Sequence, residues 1–453
     1  MVRLFSLYVP LTMIGLGVID SAVILAAWHG ATALSPDAPA VPGGLLTTPA
    51  LLLAGIGPIL LYAMGLYDRG LRFAAAGLAL RIGLAMMVAF ALAASLTVPL
   101  AEPAGWHHLA GAAALASLLL LVTRALFRTG GRPRRVLVIG AGQRAREFDR
   151  LLAAGQLGQM ACAGYLPVEG GRPLVAPDKV VRANDLAALC QKLGIEEIVV
   201  ATDGLPPGAF AESLHACRRL GIGVIEFTTL MERELGQVPV DDPNAPWLLF
   251  GDGTSATRLN AVLKRGLDIV ISLFVLVLTL PVTLMTALLI LLEDGGPIFY
   301  RQERVGLNGR TFHVIKFRSM RIDAEADGKA RWASLNDPRV TLVGRFIRKV
   351  RIDEIPQVWN VLRNDMSFIG PRPERPSIVE DLMREIPTFS LRHQVKPGIT
   401  GWAQVRYPYG ASKEDAVEKL KFDLFYVKNG GIVFDLLIIL QTVRVVLFPD
   451  GAR

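Results

Sequence analysis

The chain has 453 residues, of which 52% are hydrophobic and 19% charged, and a formal net charge of +8 at pH 7. That length suits two or three domains, and that apolar share argues against a wholly soluble protein and for membrane spans. Three scattered cysteines, Cys162, Cys190 and Cys217, lack CxxC spacing, which points to reduced thiols facing the cytosol, neither a disulfide framework nor a zinc centre. Apolar sequence begins almost at once with no small-residue cleavage site behind a short apolar core, so no cleavable leader is expected. The positive excess is concentrated: Arg301 to Arg351 holds 13 Lys/Arg against 5 Asp/Glu. Such a patch suits phosphate, nucleic acid or an anionic membrane surface.

Four apolar runs fill the first quarter, about Leu4–Trp28, Thr47–Tyr67, Ala74–Val98 and Leu109–Phe127. Each is long enough to cross a hydrocarbon core of roughly 30 Å at about 1.5 Å per residue. Basic residues alternate between the loops. Arg3 precedes the first run, Arg69 and Arg72 follow the second, and Arg128, Arg132, Arg134 and Arg135 follow the fourth, while the two remaining loops have no Lys or Arg. The positive-inside rule then places both ends of a four-helix transmembrane bundle (residues 1–130) on the cytoplasmic side.

The stretch RRVLVIGAGQRAREFDRLL reads as a buried strand, a turn at Gly140-Ala141-Gly142-Gln143-Arg144-Ala145, and a helix. GIEEIVVAT and GIGVIEF read as further strands after helical segments Asn184–Leu193 and Gly208–Leu220. Strands alternating with helices predict a Rossmann-like α/β module with a parallel sheet over 134–240. GxGxxA admits a dinucleotide with its pyrophosphate over the helix N-terminus, or merely a tight turn in an empty module. No acidic residue closes a second strand about 20 residues on, and Glu169 sits in a Gly/Pro turn.

A Pro/Gly/Asp-rich linker, DDPNAPWLLFGDGTS, leads to the last domain, 258–453. Ile269 to Leu292 is uncharged, with Pro281 in the middle, Lys264 and Arg265 on one flank, and Arg301, Arg304 and Arg310 on the other. Two readings stand: a span, or a helix over about 266–292 that enters the cytoplasmic leaflet, breaks at Pro281 and returns to the same face. Cations at both ends favour the re-entrant reading. Near the C-terminus, GGIVFDLLIILQTVRVVLFPD is apolar but interrupted by Asp435, Gln441 and Arg444, which suits a segment in the interface or against the core more than a crossing.

The segment RKVRIDEIPQVWNVLRNDMSFIGPRPE sets two adjacent acids, Asp353 and Glu354, after three cations, Arg348, Lys349 and Arg351, and locks Arg372 between prolines. Asp353 or Ile352 is the expected start of a helix with Pro356 in its first turn. Neighbouring acids on a helix diverge, so one can serve as nucleophile while the other holds a divalent metal. The plainer alternative is a helix cap with surface ion pairs.

KFRSM (Lys316–Met320), the Asp353-Glu354 pair, GPRPE (Gly370–Glu374) and KPGITGWAQV (Lys396–Val405) occur together in this order. With them the region Lys264–Phe448 resembles the bacterial polyprenyl-phosphate hexose-1-phosphate transferases of the monotopic phosphoglycosyl transferase superfamily. The front end resembles the long-chain branch, which begins exopolysaccharide or O-antigen repeat units. The resemblance implies a membrane protein whose C-terminal domain is an α+β catalytic fold on the cytoplasmic face of the bacterial inner membrane. It implies an enzyme that transfers sugar-1-phosphate from a UDP-sugar to polyprenyl (undecaprenyl) phosphate, releasing UMP. Asp353 maps to the nucleophile and Glu354 to the acid associated with Mg²⁺, with Asp353 beside the same metal. Arg348 and Arg372 map to phosphate-contacting arginines, and Lys316 lies in a basic active-site motif. Arg318, Arg351 and Gln404 join the candidate substrate-binding set. Lys316 and Arg318 could instead face lipid headgroups. Trp402 could line the nucleotide pocket or anchor at the interface, and His313 and His393 read as structural. The family often has Ser-Pro at the helix break; here it is Leu280-Pro281, so Thr279 is the candidate to satisfy the carbonyl that proline frees. Inner-membrane lipids and a second copy of the chain are further implied partners, and nucleic acid is not.

Two other readings compete. A membrane-bound sugar-nucleotide dehydratase shares the front end but needs a second nucleotide fold with a Tyr/Lys pair, which the tail lacks. A non-catalytic scaffold for polysaccharide assembly needs no working Asp353.

Overall fold

The structure, a computed structural model, describes residues 2–4, 7–9, 11–34, 48–67, 74–97, 105–127, 133–158, 160–168, 173–204, 209–240, 258–322, 324, 337–407, 410 and 412–448. The Asp241–Ser255 linker and Glu169 lie outside these residues. The chain groups into two compact units, Met1–Val2 with Tyr8–Gly236, and Arg3–Leu7 with Gln237–Arg453.

Two short strands, β1 (Val2–Leu4) and β2 (Leu7–Val9), pair at the start, so the first helix begins later than the apolar run suggests. Helices α1 (Leu11–Leu34), α2 (Thr48–Ala63), α3 (Ala75–Thr97) and α4 (Gly105–Phe127) pack in a ring, each on the next and α4 back on α1. Inside the ring the buried Asp20 carboxylate accepts from Arg124 Nη2 at 2.6 Å and from the Tyr67 hydroxyl, so the apolar helices carry a polar cross-link. Among the described residues three helices are long and apolar enough to cross a membrane: Met13–Ala33, Ala75–Ser95 and Arg258–Asp294.

The same unit continues with a four-stranded parallel sheet in the order β4-β3-β5-β6: β3 (Arg134–Ile139), β4 (Met160–Leu166), β5 (Glu197–Val200) and β6 (Gly223–Glu226). Helices α5 (Gln143–Ala153), α6 (Leu186–Leu193), α7 (Ala209–Arg219) and α8 (Phe227–Leu235) cover it. Side chains alternate across a strand, so Val136 and Val138 pack with Phe148, Val199 and Leu230, while Leu137 and Ile139 pack with Ile198, Cys190 and Cys217 on the other face. All three cysteines are free.

The second unit is built on one long helix, Arg258–Asp294, which runs through Pro281 without interruption. The expected break is therefore not a gap in the helix: a proline removes one donor and crowds one carbonyl, and the flanking turns carry on. Thr279 Oγ1 bonds the Val275 carbonyl at 2.7 Å, not the Val277 carbonyl four residues before Pro281, so it does not take the role expected of it. Both ends of the helix are anchored in this unit. At the first, Arg265 donates to the carbonyls of Val361 (2.7 Å) and Leu362 (2.9 Å), and Asp268 accepts from Ser367 and Phe368. At the second, Ile290 packs with Phe317, Ile347 and Ile352, and Glu293 accepts the free amides of Leu342 and Val343. Between the anchors Ser272 and Thr286 are buried, but many of the apolar side chains face outward, with Phe274 65%, Val277 73% and Leu284 62% exposed.

A hairpin, β7 (Phe299–Val305) against β8 (Thr311–Phe317), and a parallel pair, β9 (Ser367–Ile369) with β10 (Gly398–Thr400), complete the α+β unit. The helix Ile432–Leu447 lays Phe434 and Ile438 into the core and leaves Leu436, Val446 and Leu447 exposed. The interrupting Asp435 is fully buried because it accepts from Lys264 Nζ (2.8 Å) and the Tyr426 hydroxyl (2.7 Å).

Candidate active site

The helix Leu342–Lys349 ends in a turn through Arg351, whose φ of 58° is left-handed and unusual for a residue with a side chain. A 3₁₀ turn, Ile352–Gln357, follows with Asp353 and Glu354 at its start, and only then the short α-helix Val358–Leu362. With three residues per 3₁₀ turn, adjacent side chains point about 120° apart. The two acids consequently meet different surroundings.

Glu354 is clamped. Its Oε1 accepts from Lys316 Nζ at 2.8 Å and Arg372 Nη2 at 2.6 Å, and its Oε2 has a longer contact of 3.3 Å with Arg372 Nη1. Burial works to raise its pKa, but the charges and hydrogen bonds of Arg372 and Lys316 outweigh it and hold the carboxyl well below its ordinary range. Asp353 is the opposite case. Among the described residues its carboxylate has no hydrogen bond and no ion pair. Burial, then the charge of Glu354, push its pKa up, while Lys316, Arg348 and Arg372 pull it down. An oxygen with no partner, inside a ring of cations, is suited to attack an electrophile whose charge those cations neutralise.

The cations divide likewise. Lys316, on β8, is drawn below its ordinary value by burial although Glu354 pulls it upward, and Arg372 is raised first by the Glu354 charge. Arg348 and Arg351 make no side-chain hydrogen bond or ion pair among the described residues, and Arg348 lies near enough to act on Asp353 electrostatically. These two guanidiniums are free to meet phosphate, for which the planar fork is fitted.

Two expected members are engaged with backbone carbonyls. Arg318 is only 7% exposed and donates to the carbonyls of Asp294 (3.2 Å), Gly295 (2.8 Å) and Gly296 (3.0 Å). It closes the C-terminus of the long helix, where last-turn carbonyls lack partners, so its guanidinium is committed to the backbone. Gln404 turns inward: its Nε2 donates to the Ile399 carbonyl at 3.1 Å, and its Oε1 is buried without a partner. Trp402, half-buried at the edge of the core, packs against Phe434 and Phe425 with Arg406 over its ring.

Other residues hold the parts in register. Buried Asn360 accepts the Ile315 amide (3.0 Å) and donates to the His313 carbonyl (2.7 Å), tying the helix behind the acid pair to the strand that bears Lys316. The GPRPE and KPGITGW motifs meet because β9 and β10 pair in parallel, Ser367 with Gly398 and Ile369 with Thr400. A side chain at Gly370 would start 2.2 Å from the Lys396 carbonyl oxygen, so this approach needs glycine. Asn360 stands in a plain helical pattern, and nothing short of the fold marks it.

Among the described residues no three His, Cys, Asp or Glu side chains converge as a metal-holding group. Magnesium needs only one or two carboxylates when waters and substrate phosphates complete its oxygen shell. Asp353, and Glu354 through the weakly engaged Oε2, fit that requirement.

The Gly140–Ala145 turn does not present an open cradle. The amides of Gln143 and Arg144, at the start of α5, donate to the two carboxylate oxygens of Asp203 at 2.7 and 2.9 Å. Asp203 follows β5 and supplies from within the chain the negative charge that a helix N-terminus favours.

The fold and site describe a class: a domain on an apolar helix, with one acid of a pair clamped by cations and the other free among them. Residues 259–449 match the family model described as bacterial sugar transferase. Over 246 residues the chain is 42% identical to a UDP-N-acetylgalactosamine-undecaprenyl-phosphate N-acetylgalactosaminephosphotransferase of Aeromonas hydrophila, covering 54% of this chain and 57% of that one. It is 42% identical over 194 residues to a UDP-glucose:undecaprenyl-phosphate glucose-1-phosphate transferase of Escherichia coli, covering 42% and 41%. A Caulobacter vibrioides protein of that same description is 38% identical over 218 residues, 47% of this chain and 81% of its own length. The first two relatives are thus matched over about half their length. The chain belongs to the bacterial sugar transferase family.

Proposed function

We propose that the protein transfers sugar-1-phosphate from a UDP-sugar to polyprenyl phosphate at the cytoplasmic face of the bacterial inner membrane. An Asp353 oxygen attacks the phosphorus that bears the sugar. The bond from that phosphorus to the UMP oxygen breaks, and UMP leaves. An oxygen of polyprenyl phosphate then attacks the same phosphorus and breaks its bond to Asp353, giving polyprenyl-diphosphate-sugar and a free carboxylate. The observation that carries this reading is the contrast within the acid pair: Glu354 neutralised by Lys316 and Arg372, Asp353 unpartnered beside them. Arg348, Arg351 and Arg372 neutralise phosphate oxygens, and positioning plus charge neutralisation is most of what phosphoryl transfer requires. Magnesium, held by Glu354 and Asp353 with donor phosphates, would add Lewis-acid neutralisation of those oxygens.

The ring α1–α4 is proposed to cross the membrane, supported by α1 and α3, which are long and apolar enough, by the shorter apolar stretches of α2 and α4, and by the alternation of basic loops. The long helix is proposed to enter the leaflet and return to the same face by bending at Pro281, its turns unbroken. Support comes from its two ends, which both rest on the short run Ile352–Leu362, and from the exposed apolar stretch between them. This reading keeps Asp353 in the cytosol, where sugar nucleotides are found. The test is UMP release from a panel of UDP-sugars with polyprenyl phosphate, wild type against Asp353→Asn. Turnover that survives the substitution contradicts the assignment.

A further inference from the structure

The segment Pro371–Glu374 carries Arg372 to Glu354, yet it has little means of holding itself. Prolines 371 and 373 have no N–H, and neither strand nor helix includes these residues. Its four carbonyls are instead taken one by one by outside donors. Gly398 N reaches the Pro371 carbonyl at 2.9 Å, and Val305 N reaches the Glu374 carbonyl at 3.0 Å. The two between are taken by guanidiniums: Arg392 Nη2 on the Arg372 carbonyl at 2.8 Å, and Arg304 Nη1 on the Pro373 carbonyl at 3.0 Å.

Arg392 is well placed to be a rigid donor. It is 5% exposed, its Nε and Nη2 bond Asp423 Oδ2 at 3.0 and 2.7 Å, and Asp423 is itself 2% exposed. The Phe389 ring lies 5.0 Å from its guanidinium carbon. A buried ion pair contributes little net stability, because desolvating both charges offsets their attraction. What this one supplies is a donor of fixed direction. The proline after Arg372 already confines that residue to extended backbone. The orientation of its carbonyl is its ψ angle, so a fixed donor on that oxygen removes the main remaining freedom.

We propose that Arg392, anchored by Asp423 and seconded by Arg304 on the next carbonyl, is a positioning residue that aims the Arg372 guanidinium at Glu354 and the transferring phosphate. It touches neither substrate nor reacting atoms and acts through Arg372. The inference rests on the reading of Arg372 as a phosphate-handling residue, and the test separates the two.

The test is a double-mutant cycle on the full-length protein in membranes, read as UMP release over a range of UDP-sugar. Arg392→Lys keeps a charge for Asp423 but cannot serve both acceptors in the same fork. In the wild-type background it lowers kcat about tenfold, the low end of losses seen when a supporting shell is disturbed, with KM changed less than about threefold. In the Arg372→Lys background the same substitution costs less than about twofold, because the group it aims has been removed. Equal losses in both backgrounds, or a wild-type kcat for Arg392→Lys, overturn the clamp. If Arg392→Lys does not fold, Arg304→Lys takes its place in the cycle with the same expectations. Absence of UMP release from wild type, or its survival in Asp353→Asn, instead overturns the underlying reading, and the clamp with it.

Discussion

Two regions of this molecule carry the marks of a phosphate site, and the structure treats them in opposite ways. At the Gly140–Ala145 turn the donors are backbone amides, and Asp203 already occupies them. At the acid pair the donors are Lys316 and Arg372, and Glu354 occupies those. The difference lies in what is left over. Around the turn the amide pair is matched by a single carboxylate. Around the pair, Asp353, Arg348 and Arg351 remain without partners among the described residues, so an electrophilic phosphate would find both a nucleophile and uncommitted positive charge. A motif shows where donors are; the balance of donors and acceptors shows whether a ligand is needed.

The largest effect that would sharpen this contrast is loss of the nucleophile. Asp353→Asn should lower turnover about 10³-fold or more, measured as UMP release, since removing a covalent nucleophile leaves only binding and charge stabilisation. Next is Lys316→Ala, which takes one cation from Glu354 and should cost about 10²-fold in kcat, comparable to deleting one preorganised donor. A smaller loss than for Asp353→Asn is essential to the distinction between the two acids.

Stability provides a third measure. Burial, with the charge of Arg392 beside it, pushes the His393 imidazole down to about 4. The folded value lies below the ordinary one near 6.5, so the unfolded chain takes up the proton first. Stability should therefore fall as pH drops from about 6.5 toward 4, by up to about 3 kcal/mol, and this contribution should level off below that range. His393→Gln should remove that part of the pH dependence in thermal melts of the solubilised protein. The smallest effect is at the turn. Asp203→Ala should leave turnover unchanged and cost about 1–2 kcal/mol, the usual range for losing a helix-end acceptor. Millimolar phosphate should raise the melting temperature of that variant and not of wild type. Stabilisation of wild type by a dinucleotide would break the comparison.

Much of this is legible in the sequence. The strands at Arg134, Glu197 and Gly223 follow from apolar runs after helical segments, and Lys316, Glu354 and Arg372 do meet as their motifs imply. What could not be read depends on long-range pairing. Arg318 sits two residues from Lys316 in one motif, but strand alternation gives them the same face only until the strand ends at Phe317, and beyond it Arg318 turns to the helix carbonyls. Asp203 with Gln143, Asn360 with His313 and Arg392 with Asp423 are pairs 60, 47 and 31 residues apart, and no local pattern marks such pairs. Pro281 was visible; that the helix runs through it was not.

The most direct measurement is to mix the protein with a UDP-sugar carrying labelled phosphate next to the sugar, leave out the lipid acceptor, quench in acid and map the label. The account predicts up to one phosphosugar per chain, on Asp353, and its release on adding polyprenyl phosphate. Label on another residue, or none at all while turnover with the acceptor proceeds, would contradict it.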